Sequence, residues 1–285
     1  MRLLPRQSLY QRPRRASILI AAIWILVILA ILSTGLYKIM SSRLLLSKAL
    51  EKRLLCRYAA LALCVYTQSK QEIDGTLHDS LSELGGLTVK QLGNLECTFN
   101  TFDEESKINI NTCSKETLEK LPGFNQELAE AVIGSGLRPF FAKEQILFVE
   151  GVSNEVFSEC KNFITVYGQG KININTAPPE TLSALGLDSG LITVIEDFRK
   201  GPDSQIGTED DGVFGGTGTV AETLKQFSGL SEEQEKNLNQ AISQGLLDVI
   251  SENFFLDIQT KIFNKPAMKY NIVLDTERVK YWRER

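Results

Sequence analysis

The longest uninterrupted apolar pattern runs from Ala16 to Tyr37, 22 residues without a charge between Arg15 and Lys38. At about 1.5 Å per residue, a helix of this length spans roughly 33 Å, against a bilayer core of about 30 Å. A soluble core helix is rarely apolar on every side for six turns, so this pattern predicts a membrane span. The pattern then changes to a stripe. Leu44, Leu45, Ala49, Leu54, Leu55, Ala59, Leu63 and Tyr66 recur at helical spacing, with Lys48, Glu51, Lys52 and Arg53 on the other side. No proline lies between Pro13 and Pro122. One helical rod of about 50 residues is expected, half in lipid and half outside it.

Further along, period-two alternation appears at 95–102, at 254–263 and at 269–276, with a short third strand expected at the end from Val279 to Trp282. Asn264-Lys265-Pro266 reads as the turn between two of these strands. The strands flank a mostly helical block of about 140 residues. Its last helical stretch is read as Thr219 to Ile250, with Leu224, Phe227, Leu238, Ile242, Leu246 and Leu247 inside.

The block contains an internal repeat. Residues 107–121 (KININTCSKETLEKL) and 171–185 (KININTAPPETLSAL) match at ten of fifteen positions, at an offset of 64. Alternation in each copy puts Ile108 and Ile110 inward and the asparagines outward, namely Asn109 and Asn111 in the first copy, with Asn173 and Asn175 their counterparts in the second. Ser114 is a natural N-cap for the first helix, and Pro179 suits the first turn of the second.

Composition narrows the function classes. The formal net charge is −4, and without the leader arginines (Arg2, Arg6, Arg12, Arg14, Arg15) 26 basic residues face 35 acidic ones, a net of −9. Such a body repels nucleic-acid backbones. Five scattered cysteines and one histidine, His78, give no zinc pattern. Burial as small hydrophobes suits the cysteines, and one pair among Cys97, Cys113 and Cys160 remains open to bridging. No Walker loop, dinucleotide glycine pattern or placeable catalytic triad is present, which argues against an enzyme. The basic flank ahead of the apolar run places the amino terminus in the cytoplasm and the body on the far side of an inner membrane.

A basic leader followed by a retained apolar helix that continues as an amphipathic one resembles the type IV pilin and pseudopilin class. That resemblance implies cleavage by a prepilin peptidase between Ala16 and Ser17, and methylation of the new terminus. Ala16 stands where the class has glycine, and Ala21 where most members carry glutamate. The missing acid, the Asn-rich repeat and the strand-forming carboxyl end together resemble the type II secretion system protein K family, also called general secretion pathway protein K. Residues 107 onward, including Gly123-Phe124-Asn125 and Gly151-Val152-Ser153, also resemble tandem helix-hairpin-helix elements of exported competence-type DNA-uptake proteins. The second glycine of the phosphate-binding hairpin is missing from both, and Glu116, Glu119, Glu127, Glu130, Glu150, Glu155 and Glu159 surround them.

The expected fold is α+β: a long amino-terminal helix on a small antiparallel pilin-like sheet, with an inserted all-α domain. The divisions are a leader at 1–16, the span at 17–37, helix continuation and first strand at 38–106, the insert at 107–250 and carboxyl-terminal strands at 251–285. The family resemblance implies a minor pseudopilin at a pseudopilus tip, with other minor pseudopilins and the major pseudopilin as partners and no nucleic acid. A membrane-tethered DNA-binding protein and an unrelated anchored enzyme or adaptor are the alternatives. Asp203, Glu209, Asp210 and Asp211 lie in a glycine-rich loop. It reads either as a solvated loop or, because pseudopilins often bind calcium, as a calcium site.

Overall fold

The structure is a computed structural model that describes residues 14–73, 76–84 and 88–285. The leader residues 1–13 lie outside the described set. Two compact units are distinguished, residues 1–55 and 56–285.

Helix α1 runs from Arg14 to Ile73. Its stretch Ile18–Lys70 is long and apolar enough to cross a membrane. Within the first unit, Ile18 to Leu32 expose nearly every apolar side chain. Thr34 returns its hydroxyl to the backbone carbonyls of Ala30 and Ile31, at 3.0 and 2.9 Å, which suits a polar group in an apolar medium.

In the second unit, a five-stranded antiparallel sheet has the order β1-β2-β7-β8-β9. The strands are β1 (Thr88–Leu92), β2 (Leu95–Asp103), β7 (Phe254–Ile262), β8 (Lys265–Leu274) and β9 (Val279–Glu284). One sheet face carries Leu95, Cys97, Phe99, Leu256, Ile258, Tyr270 and Ile272, packed against Cys56, Ala60, Leu63 and Cys64 of α1. The expected helical stripe is therefore only partly right. Leu63 is buried, but Leu44, Leu45, Leu54, Leu55 and Tyr66 are exposed, and beside Leu63 the contact is made by small residues at i, i+4 and i+8, Cys56, Ala60 and Cys64. Small side chains let the helix lie close to the sheet.

Three strand readings change. Strand β1 went unread. The turn between β7 and β8 is Phe263-Asn264, at φ +50° and +61°, the left-handed pair of a two-residue hairpin. Pro266 consequently sits inside β8, opposite the bulge at Thr260/Lys261.

Everything between Asp103 and Phe254 is inserted between two neighbouring strands, because those two residues pair at the end of the β2–β7 ladder. The insert has its own core, including Ile108, Ile110, Leu118, Ile172, Ile174 and Leu182. Its helices are α3 (Lys115–Glu119), α4 (Gln126–Gly134), α5 (Asn154–Cys160), α6 (Pro179–Ala184), α7 (Ser189–Arg199), α8 (Val220–Ser228) and α9 (Glu232–Ser243). A 3-10 turn, Lys143–Phe148, precedes α5. The single helix expected from Thr219 to Ile250 is instead α8, a break at Gly229, α9 and a short strand, β6 (Leu247–Asp248). Gly229 at φ +71° ends α8. Phe227, expected inside, is half exposed and meets Phe198 edge-on. All five cysteines are free, four of them buried.

Ile258→Ala, in the sheet core, is expected to lower unfolding free energy by about 2–5 kcal/mol, while Val65→Ala on the exposed side of α1 should change it by less than about 0.5 kcal/mol. Denaturant titration of both variants measures the contrast.

Candidate functional site

The repeat forms two equivalent cradles. In the first, β3 (Ile108–Asn109) pairs in parallel with β4 (Ile164–Thr165); in the second, β5 (Ile172–Asn173) pairs in parallel with β6. The asparagines do not face outward as alternation suggested. Asn109, Asn173 and Asn175 are buried, and Asn111 is half-buried. The copies share two of their asparagine contacts and differ in a third: the Asn109 amide donates to the Tyr167 and Gly168 carbonyls, the Asn173 amide to the Asp79 carbonyl, Asp103 and Ser251. The Oδ1 of Asn109 accepts from the backbone N–H of Asn111, and Asn173 accepts from Asn175, both at 2.9 Å. Asn111 exchanges two hydrogen bonds with the backbone of Phe140, and Asn175 does the same with Phe214. Arg138 donates to the Cys113 carbonyl in one copy and Arg199 to the Ala177 carbonyl in the other. Buried amides are tolerated because their donors and acceptors are satisfied, by backbone and, at Asn173, also by the Asp103 and Ser251 side chains.

Each cradle carries two helical hairpins. Helices α3 and α4 are joined by Gly123-Phe124-Asn125, and the 3-10 turn and α5 by Gly151-Val152-Ser153. The second copy repeats the device with Gly186-Leu187-Asp188 between α6 and α7, and Gly229-Leu230-Ser231 between α8 and α9. Sequence reading missed this second pair, although the glycine-hydrophobe-cap triplets were there to find. In all four hairpins the third residue caps the next helix. Asn125 accepts from Leu128 N–H at 2.8 Å, Ser153 from Val156 at 3.3 Å, Asp188 from Gly190 and Leu191 at 2.9 and 3.1 Å, and Ser231 from Gln234 at 3.2 Å. Each cap takes one or two of the N–H groups that a phosphate could use at a helix start. Gly123 and Gly151, at φ +79° and +86°, serve close packing. A Cβ on Gly123 would lie 3.0 Å from Glu159, and one on Gly151 2.9 Å from Leu128. The seven glutamates singled out in the sequence are all exposed around these hairpins, and Lys115 is paired with Glu130 at 2.6 Å.

The two cradles meet the sheet at a buried polar junction. The carboxylate of Asp103 accepts from Asn173 Nδ2 at 3.1 Å, from Ser251 Oγ at 2.6 Å, from Glu105 N–H at 2.6 Å and from the Thr176 hydroxyl. Burial holds the Asp103 carboxyl above its usual range, with these four donors opposing. Burial also pushes Glu104 up, but the charge of Lys107 and hydrogen bonds from Lys107 and Thr165 outweigh it, so Glu104 sits below the usual range. Glu105 accepts from Asn253 Nδ2 at 2.6 Å and from Glu252 N–H at 3.1 Å. Its carboxyl is raised from 4.5 to about 6, chiefly by burial.

The remaining expected positions lie on α1 and in the acidic loop. Ala16 and Ser17 lie within α1, and Ala21 is an exposed position on it. In the acidic loop, Asp203, Glu209 and Asp210 are exposed. Asp210 accepts from the backbone N–H of Asp203 at 3.1 Å, Asp211 accepts from that of Gly207 at 2.7 Å, and the Thr208 hydroxyl donates to both. Among the described residues no three His, Cys, Asp or Glu groups converge as a metal would require. The four acids as placed do not fit a calcium ion. The loop is the main length difference between copies: Gly134 to Phe140 in the first corresponds to Arg199 to Phe214 in the second.

The helix-hairpin-helix motif family matches residues 103–165. No curated protein matches the sequence. Among solved structures, a chain in the crystal structure of the GspK-GspI-GspJ complex from the enterotoxigenic Escherichia coli type 2 secretion system is similar in fold. The TM-score is 0.58 at 13% identity, over 84% of this chain and 98% of that one.

Two predictions concern these groups. A carboxyl whose folded pKa is raised contributes full stability below its unfolded value and loses it as pH rises through the folded value. For Glu105, from 4.5 to about 6, the loss is about 2 kcal/mol. Glu105→Gln keeps the acceptor for Asn253 and Glu252, so melting curves from pH 4.5 to 7 should lose part of their downward slope relative to wild type. The acidic loop is held by its own hydrogen bonds, so Asp210→Ala/Asp211→Ala should lower the melting temperature equally with added calcium or chelator. A calcium-dependent rise in the wild type that the double variant abolishes would show that the loop rearranges around the ion.

Proposed function

We propose that this chain is a minor pseudopilin of the type II secretion protein K kind, standing at the tip of a pseudopilus, where it helps initiate fibre assembly and the export of folded proteins across the outer membrane. The observation that carries this reading is one combination. An apolar helix of membrane-spanning length continues into a helix packed on an antiparallel sheet, and the central strand pair of that sheet holds a large helical insert. The similarity in fold to a chain of a pseudopilin complex, over 84% of this sequence, supports it.

On this reading the protein is a single-pass inner-membrane protein with its amino terminus in the cytoplasm and its body in the periplasm. The prepilin peptidase cuts after Ala16, and the methylated Ser17 becomes the new terminus. Ala21 supports a leading position. A subunit without an acid there has nothing to pair with the amino terminus of a subunit ahead, and a buried unpaired carboxylate in lipid costs several kcal/mol. The insert adds bulk that, repeated at every step, would crowd a filament. Other minor pseudopilins are the direct partners, with the major pseudopilin behind them.

A helix-hairpin-helix DNA-binding protein is the second reading, favoured by the family match over 103–165. The capped hairpins and the exposed glutamates weigh against it.

Detergent-solubilised full-length chain mixed with the minor pseudopilins of the same envelope is expected to give one-to-one complexes and no homopolymer, with Ser17 as the amino terminus by mass spectrometry. Long fibres of this chain alone would overturn the tip position. Salt-dependent binding of duplex DNA by the same preparation would promote the second reading.

A further inference from the structure

Between the helical insert and the sheet face opposite α1 lies a cleft of about 610 Å³. That volume is in the range of sites that hold organic ligands. Five cations line it: Lys143, Lys161, Lys269, Arg283 and Arg285. Two carboxylates, Glu104 and Glu144, do so as well. Glu104 is already committed to Lys107, and Glu144 reaches Arg283 only at 3.8 Å. In a body with a net charge of −9 after the leader, this is a local reversal of sign.

The sheet side is built by register. Lys269, Asn271 and Val273 alternate with Tyr270, Ile272 and Leu274, which are buried toward α1. Across the ladder, Tyr281 stands opposite Val273 and Arg283 opposite Asn271, and Arg285 exchanges backbone hydrogen bonds with Lys269. Lys269 and Arg285 are therefore like charges placed directly opposite, an arrangement that costs stability in a sheet. Asp257 relieves Lys269 at 3.1 Å. Among the described residues no carboxylate side chain of another residue lies within ion-pairing distance of Lys143, Lys161 or Arg285. On the insert side, Lys143 donates to the Lys161 carbonyl at 2.8 Å, and burial with the nearby Lys107 charge lowers its pKa. Each of these features costs stability in the free protein, and a bound anion relieves it.

We propose that this cleft binds an acidic peptide segment of a partner protein, its carboxylates taken by Lys143 and Lys161 on one side and by Lys269, Arg283 and Arg285 on the other. An extended occupant suits the cleft better than a compact ion. Its cations come from separate elements, and apolar side chains (Phe157, Phe255, Val273 and Tyr281) lie among them. A peptide alternating acidic and apolar residues matches both chemistries. The inference does not depend on the fibre reading, because it requires only an acidic partner.

The test uses detergent-solubilised full-length chain and a fluorescein-labelled peptide of alternating glutamate and alanine, read by anisotropy. The peptide should bind, its affinity should fall with salt, and an alternating lysine and alanine peptide should not bind. Lys161→Glu and Arg283→Glu should each weaken binding by about tenfold or more, as expected for charge-assisted hydrogen bonds lost. Lys161→Gln, the milder change, should weaken it less, and Lys236→Glu on α9 should leave it unchanged. Peptide binding unaffected by the cleft variants, or reduced as much by Lys236→Glu, would overturn the assignment. Displacement of the peptide by inorganic phosphate at equal concentration would also overturn it, since the cleft would then be a site for a small ion.

Discussion

The pairing of Asp103 with Phe254 is the constraint on which the second unit depends. It closes the central strand pair of the sheet and also fixes both ends of a 150-residue insert. Because entry and exit are neighbours in one ladder, the sheet is complete without the insert, and the insert can complete its own core without the sheet. Among the contacts that couple them, the Asp103 carboxylate gathers the most donors. A buried carboxylate is tolerated only when hydrogen-bonded. Here its donors come from the second repeat (Asn173 and Thr176), from the return segment (Ser251) and from its own chain (Glu105). Swinging the second repeat away from the sheet would strip this buried carboxyl of its Asn173 and Thr176 donors, so the junction opposes such a motion.

The repeated asparagines explain the internal architecture of the insert. Each copy holds its two hairpins together with the same three devices: an asparagine closing a turn onto its own chain, a second asparagine clasping a distant phenylalanine backbone, and an arginine reaching a carbonyl. These are backbone-directed contacts, so they tolerate wide divergence in the side chains around them. The ten matching positions between the copies are concentrated where these contacts start.

Much of this was legible in the sequence, and the failures have physical causes. The apolar helix, strands β2, β7 and β9, the Ser114 cap and the start of each repeat followed from periodicity and capping chemistry. Alternation failed for the asparagines because it assumes that polar means solvated, and an amide with backbone partners is better placed inside. The stripe on α1 was sought among leucines, whereas the sheet accepts Cys56, Ala60 and Cys64 because close approach favours small side chains. The second pair of hairpins escapes a constant offset: Gly186-Leu187-Asp188 falls one residue short of the offset of 64, and the acidic loop between Arg199 and Phe214 displaces Gly229-Leu230-Ser231 further. The polar junction had no local signature, since Asp103, Asn173 and Ser251 meet only through the fold.

The hairpins differ from a phosphate-binding arrangement in several physical respects. Binding a phosphate requires free N–H groups at a helix start, a backbone close enough to approach and a field of the right sign. Here a side-chain cap follows the glycine in every hairpin and takes one N–H group, or two at Asp188. In the first pair the glycines face each other's helices, and glutamates surround the exposed surface. The same geometry that would cradle a phosphate instead locks hairpin to hairpin. The cationic groups that a nucleic-acid binder would spread over its hairpins are found elsewhere, gathered in the cleft against β8 and β9. Hairpin scaffold and clustered positive charge thus occupy different places in this molecule, the first in the insert and the second where the insert faces β8 and β9.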